Sequence, residues 1–147
     1  MNGFLIDTNI LSEFRKGSRC DAGVRNWVES TAAGEMFVSV LVLGEVRQGI
    51  ERIRIRDQNQ ARALEKWLQS LSTGFADRIL PVDERVADQW GRLGLRQPVP
   101  TLDAFLAATA LVHDLTVVSR DEDGFRNTGA RVINPFSKSS GSRRSSG

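Results

Sequence analysis

Along this 147-residue chain, short unbroken apolar runs alternate with longer stretches in which apolar residues return every three or four positions. The first pattern predicts buried strands, and the second predicts amphipathic helices packed against them. Gly3 to Ile6 is an apolar run cut off by Asp7-Thr8-Asn9, which predicts a strand whose carboxyl end opens into a helix near Ile10 to Arg15. Ala22 to Glu29 fits a helix carrying Trp27; Gly34 then breaks the chain, and Glu35 to Ser39 fits a second strand. Ser39 has the chemistry of a cap for the next helix, in which Val42, Glu45 and Gly49 share one face. From Asp57 to Leu71, the positions of Leu64, Trp67, Leu68 and Leu71 follow the helical i, i+3, i+4, i+7 pattern. Ile79 to Val82 predicts a short strand, placed at a sheet edge or ending at Pro81, because Pro81 has no amide donor. Helix resumes over Asp83 to Leu93 with Val86, Trp90 and Leu93 on one side, and Gly94 with Pro98-Val99-Pro100 ends it. Thr101 is the expected cap of a helix from Leu102 to about Val112, and Leu115 to Ser119 and Arg131 to Ile133 complete the strands. Apolar strands separated by helices predict an α/β domain with a central, mainly parallel sheet flanked by helices.

Composition narrows what such a domain can do. A hydrophobic content of 40% over this length suits one compact domain with a sizeable core. The single cysteine, Cys20, excludes an internal disulfide and a Cys-rich zinc site, and the single histidine, His113, argues against a histidine-based metal centre. Met36 to Leu43 is too short to span a bilayer, and Phe4-Leu5-Ile6 is interrupted before a signal-peptide core forms, so a cytoplasmic protein without a membrane partner is expected. The net charge of +2 is misleading. Ser137 to Gly147 contributes Lys138, Arg143 and Arg144 with no acid, which leaves −1 for residues 1–136. We therefore expect a folded domain over 1–136 and a disordered, basic Ser/Gly-rich tail over 137–147.

The candidate chemistry lies in four acidic stations: Asp7, Glu45, Asp103 and the run Asp121-Glu122-Asp123. Carboxylates gathered at one point repel each other, and a hard divalent cation with oxygen ligands relieves that repulsion. Asp7 and Asp121 follow predicted strands and should face the carboxyl edge of the sheet, where active sites of open parallel sheets form. Glu45 lies less than two turns into its helix and reaches back toward that edge. Asp103 opens a helix that precedes a strand, which suggests the opposite edge unless the irregular Pro98–Pro100 approach lays the helix across the carboxyl side. Each acid also has a plain structural role available: an N-cap for Asp7, a helix-dipole contact for Asp103, an arginine partner for Glu45, a surface turn for Asp121 to Asp123.

Five blocks carry a resemblance: Phe4-Leu-Ile-Asp7-Thr8-Asn9-Ile-Leu-Ser12, Val38-Ser39-Val-Leu-Val-Leu-Gly44-Glu45-Val46, Thr101-Leu102-Asp103-Ala-Phe-Leu-Ala-Ala-Thr109-Ala110, Val117-Val-Ser119-Arg120-Asp121, and Gly129-Ala-Arg-Val-Ile-Asn134-Pro135-Phe136. In this order they resemble PIN-domain ribonucleases, and most of all the VapC/FitB toxins of bacterial toxin–antitoxin pairs, over residues 3–136. The resemblance implies a PIN-like three-layer fold and Mg²⁺- or Mn²⁺-dependent cleavage of RNA. It matches Asp7, Glu45 and Asp103 to the family's metal-site acids, and Thr8 and Asn9 to the polar pair beside the first. The fourth acid falls to Asp121 or to Asp123, with Asp121 preferred. Relatives commonly carry an acid directly before an aromatic there, and this chain has Gly124 before Phe125.

By the same resemblance, a homodimer is expected, with an antitoxin protein covering the acidic cleft. Arg47, Arg52, Arg54 and Arg56 are candidate phosphate contacts, or else a solvated helix face interleaved with Glu51 and Asp57. Trp27, Trp67 and Trp90 read as packing residues, and His113 as structural or exposed. A haloacid-dehalogenase phosphatase is disfavoured because Asn9 stands where that chemistry needs a second Asp. The alternative from another class is a noncatalytic regulatory or binding module whose acids hold a structural ion.

Overall fold

The computed structural model describes residues 3–93 and 99–137. The helix-ending Gly94 and Pro98, and the tail from Lys138 onward, lie outside them. The chain runs β1 (Gly3–Ile6), α1 (Thr8–Phe14), α2 (Ala22–Glu29), β2 (Met36–Ser39), α3 (Val40–Arg54), α4 (Gln58–Gly74), β3 (Ile79–Leu80), α5 (Glu84–Arg92), α6 (Thr101–His113), β4 (Leu115–Val118) and β5 (Val132–Ile133). The strands form one sheet in the order β3-β2-β1-β4-β5, and every pairing is parallel. As expected of a proline-limited strand, β3 is two residues long and lies at an edge.

The apolar strand runs are explained by burial on both faces. Leu5, Ile6, Val38, Val117 and Val118 are fully buried, packed against Ile10, Leu11, Val24, Val42, Leu106 and Ala107 from the helices. A smaller cluster of Val46, Ile50, Ala61 and Leu64 closes the α3–α4 hairpin. On its outer side Arg47 bridges Glu51 and Glu65 at 2.9 and 2.8 Å, and Arg54 engages the same two acids. Trp27 meets Phe4 edge to face and Trp90 stacks on Phe105, in keeping with packing roles.

Among the described residues, five helices begin with a side-chain cap. Asp7, Asp21, Ser39, Asp57 and Asp83 accept backbone N–H groups of Thr8, Val24, Leu41, Gln60 and Val86 at 2.7–3.1 Å. The expectation that Thr101 caps α6 does not hold. Thr101 is already helical, and Pro100, which has no polar side chain, occupies the cap position. At its other end, α6 stops at Asp114 in the left-handed conformation (φ 54°), which turns the chain straight into β4.

That tight turn also corrects the expected placement of Asp103. A helix that feeds directly into a strand and packs along it runs antiparallel to it, so α6 starts at the carboxyl edge and ends at the amino edge. Asp103 reaches the carboxyl side as part of regular topology. Ser137 is held by Asp21, which accepts its N–H at 2.8 Å and its hydroxyl at 2.6 Å. Among the described residues no helix is long and apolar enough to cross a membrane.

Candidate active site

The strand order reverses between β1 and β4, with β2 on one side and β5 on the other. Crevices at such switch points, beyond the carboxyl ends of the strands, are where open parallel sheets place their ligands. Because Ile6 lies opposite Val118, the residues that follow, Asp7 and Ser119, emerge side by side. The Asp7 N–H extends the ladder by one bond to the Val118 carbonyl at 3.0 Å.

Asp7 is 6% exposed, and its two carboxylate oxygens are separately held. One accepts the Thr8 N–H at 2.7 Å, and the other accepts the Ser119 hydroxyl at 2.7 Å. Ser119 is itself fully buried and accepts the Asp121 N–H at 2.9 Å, so one hydroxyl ties the end of β1 to the loop after β4. Asn9 spans the same gap, donating to Ser119 at 3.4 Å and accepting the Arg120 N–H at 3.1 Å. Ser119 was legible only as a strand-ending residue in a motif. Its importance lies in contacts more than a hundred positions away, although a small polar side chain closing an apolar strand is a usable signal.

Among the described residues Glu45 pairs with no arginine, neither Arg47, which is engaged by Glu51 and Glu65, nor the exposed Arg52. It faces the mouth of the crevice from the second turn of α3 and accepts the Thr8 hydroxyl. Asp103 comes from the first turn of α6, and its carboxyl converges with that of Asp121 on the α-carbon of Gly124. Asp121 also accepts the Gly124 N–H at 3.1 Å. Asp123 is turned away, largely exposed and paired with Arg126. The arrangement therefore brings together Asp7, Glu45, Asp103 and Asp121, with Thr8 and Asn9, and leaves Asp123 outside.

The electrostatics express this proximity. Burial raises the Asp7 carboxyl above its ordinary range, the Ser119 and Thr8 hydrogen bonds oppose that, and the charges of Glu45 and Asp121 raise it further. Asp103 is pushed up to about 7, first by burial, then by the hydrogen bond with Asp121 and the charges of Asp121, Asp7 and Glu45. Among the described residues no three Asp, Glu, His or Cys side chains close around one ion position as they stand. The Asp103 and Asp121 carboxyls instead lie side by side against Gly124, and their mutual repulsion is what a cation would offset. The donor set is all oxygen, acidic and mutually repelling, which fits a hard divalent cation.

Elsewhere, His113 Nε2 is buried at the amino edge with no hydrogen-bond partner among the described residues, remote from the acids. Of the four candidate phosphate contacts, Arg47 and Arg54 are committed to acids of the α3–α4 hairpin, while Arg52 and Arg56 are exposed.

The model of the PIN domain family matches residues 4–130. Toxin FitB of Neisseria gonorrhoeae is 30% identical over 137 residues, covering 90% of this chain and 97% of that protein. VapC ribonuclease Y4jK of Sinorhizobium fredii is 27% identical, covering 90% and 96%. A solved structure of FitAB bound to an IR36 DNA fragment superposes with a TM-score of 0.81 at 28% identity, covering 92% of this chain and 97% of that one.

Proposed function

The chain belongs to the PIN-domain family, and from that premise we propose that it is a metal-dependent endoribonuclease, the toxin of a toxin–antitoxin pair. The observation that carries this reading is the meeting of four carboxylates from four separate elements at the β1/β4 switch point. The relatives support it: one is named a toxin, another a ribonuclease.

Asp7, Asp103 and Asp121 are the proposed ligands of Mg²⁺ or Mn²⁺, with Glu45 at the rim. When bound, the cation lowers the pKa of a coordinated water and neutralises charge on the scissile phosphate. The protein's own groups set the geometry. Ser119 and the Thr8 N–H fix the rotamer of Asp7, so its oxygens are directed before RNA arrives. The Thr8 hydroxyl orients Glu45, whose carboxylate takes one proton of the attacking water as the water oxygen bonds to phosphorus, while the P–O ester bond breaks and the departing oxygen takes a proton from solvent. Asn9 holds the Arg120 backbone, and with it the loop that carries Asp121. No serine, cysteine or histidine nucleophile is needed.

The partners proposed with this function are RNA as substrate, a second copy of the chain, and an antitoxin that covers the acidic crevice. The test is cleavage of RNA by the purified chain with Mg²⁺ or Mn²⁺, stopped by EDTA. Asp7→Asn should remove cleavage while circular dichroism and melting report a folded domain. Cleavage that survives both EDTA and this substitution would sink the reading.

A further inference from the structure

Gly124 sits against the acids, and its lack of a side chain is not dictated by its backbone. Unlike Gly17 and Gly129, it does not adopt a positive φ. It lies in a short 3-10 turn, Asp123–Phe125, whose Phe125 is buried in the core. What excludes a side chain is the carboxylate pair. A Cβ built on Gly124 would lie 2.1 Å from Asp103 Oδ2 and 2.3 Å from Asp121 Oδ2, well inside van der Waals contact. These two oxygens come from different elements, the first turn of α6 and the loop after β4, and both lean on the same face of one α-carbon.

We propose that Gly124 is a positioning residue: its bare α-carbon is the space in which Asp103 and Asp121 converge, and its N–H holds Asp121 there. The inference rests on the metal-site reading above and deepens it. Asp121 Oδ2 occupies the volume that a side chain at position 124 would fill, so an inward-turned Asp121 and a side chain at 124 are mutually exclusive. The clash falls on the tips of two short side chains rather than on backbone or core. A methyl group there leaves the fold in place and pushes the two carboxylates apart. Mg²⁺ and Mn²⁺ sites depend on oxygen placement to a few tenths of an ångström, so the damage appears in metal binding.

The experiment compares the full chain with its Gly124→Ala and Gly49→Ala variants, in metal-free buffer and with Mn²⁺, by thermal melting and calorimetric titration. Gly49 lies in α3, where an added Cβ would meet nothing within 4 Å, and serves as the glycine-to-alanine control. The expected result for Gly124→Ala is an unchanged metal-free melting temperature, loss of most of the Mn²⁺-induced rise, and Mn²⁺ affinity weakened about tenfold or more, the scale seen when supports of metal ligands are removed. The control should keep both properties. Wild-type Mn²⁺ affinity in Gly124→Ala would overturn the proposal, as would a sharp fall in its metal-free melting temperature, which would mark a structural glycine. Failure of the unaltered chain to bind Mn²⁺ would overturn the metal-site reading itself, and this proposal with it.

Discussion

A buried aspartate that caps a helix and also faces three other acids carries two roles at once, and Asp7 shows how they are reconciled. Its Oδ1 serves the α1 cap and its Oδ2 is fixed by Ser119, so the rotamer that stabilises the helix is the one that addresses the crevice. Ser119→Ala removes a buried donor to a carboxylate and the acceptor of the Asp121 N–H. We expect about 1–3 kcal/mol lower stability by chemical denaturation and Mn²⁺ affinity lower by roughly tenfold or more by titration. Asp103 makes an opposite prediction. Its folded-state pKa stands near 7 against an ordinary 3.8, so in metal-free protein the native state binds more protons than the unfolded state between those values. Stability from this group is complete below about pH 4 and is lost as pH rises through about 7. Asp103→Asn should flatten that slope and melt no lower than the parent chain at pH 8 without metal, while abolishing RNA cleavage. A parent chain whose metal-free melting temperature rises relative to the variant across this interval would contradict the assignment.

At the scale of elements, the strands and helices followed from the apolar pattern because burial on both faces of a parallel strand leaves no alternation to misread. Caps were legible where a polar side chain precedes a helix, as at Ser39. They were misjudged at Thr101, because Pro100 fixes its own φ and occupies the boundary position itself. The chain end was less readable. Ser137 belongs to a polar, low-complexity run, yet Asp21 accepts two hydrogen bonds from it across more than a hundred positions, next to a glycine that permits close approach. A Cβ at Gly23 would lie 2.1 Å from the Pro135 carbonyl oxygen and 2.6 Å from the Ser137 nitrogen. Because those are backbone atoms, Gly23→Ala should force the segment off α2 and cost about 1–3 kcal/mol, measurable by denaturant titration. The same substitution at Gly44, where the direction is open, lacks this clash, so it is the matched comparison.

For the whole molecule, the acidic crevice is a local instability that ligand binding should repair. Mg²⁺ or Mn²⁺ at about a hundred times its dissociation constant should add about 2.7 kcal/mol to unfolding, seen as a melting-temperature rise that EDTA reverses. A chain whose melting is indifferent to both ions would not have a metal site here. The order of hydrophobic runs was enough to set out an α/β domain with parallel strands, since each run is long enough for one element and no more. Position drew attention to Asp7 and Asp121 after strands and to Asp103 at a helix start, while their match to a metal site, with that of Glu45, came from the family resemblance. Convergence was not, because it depends on strand order. β4 pairs with β1 and not with β3, its predecessor in the chain, and this pairing sets Asp7 beside Ser119 and Asp121. Likewise the preference for Asp121 over Asp123 rests on side-chain direction: Asp121 converges with Asp103 beside Gly124, while Asp123 pairs with Arg126 at the surface. Periodicity along the chain records which residues are buried, a local property, while the meeting of four carboxylates depends on long-range pairing that packing alone selects.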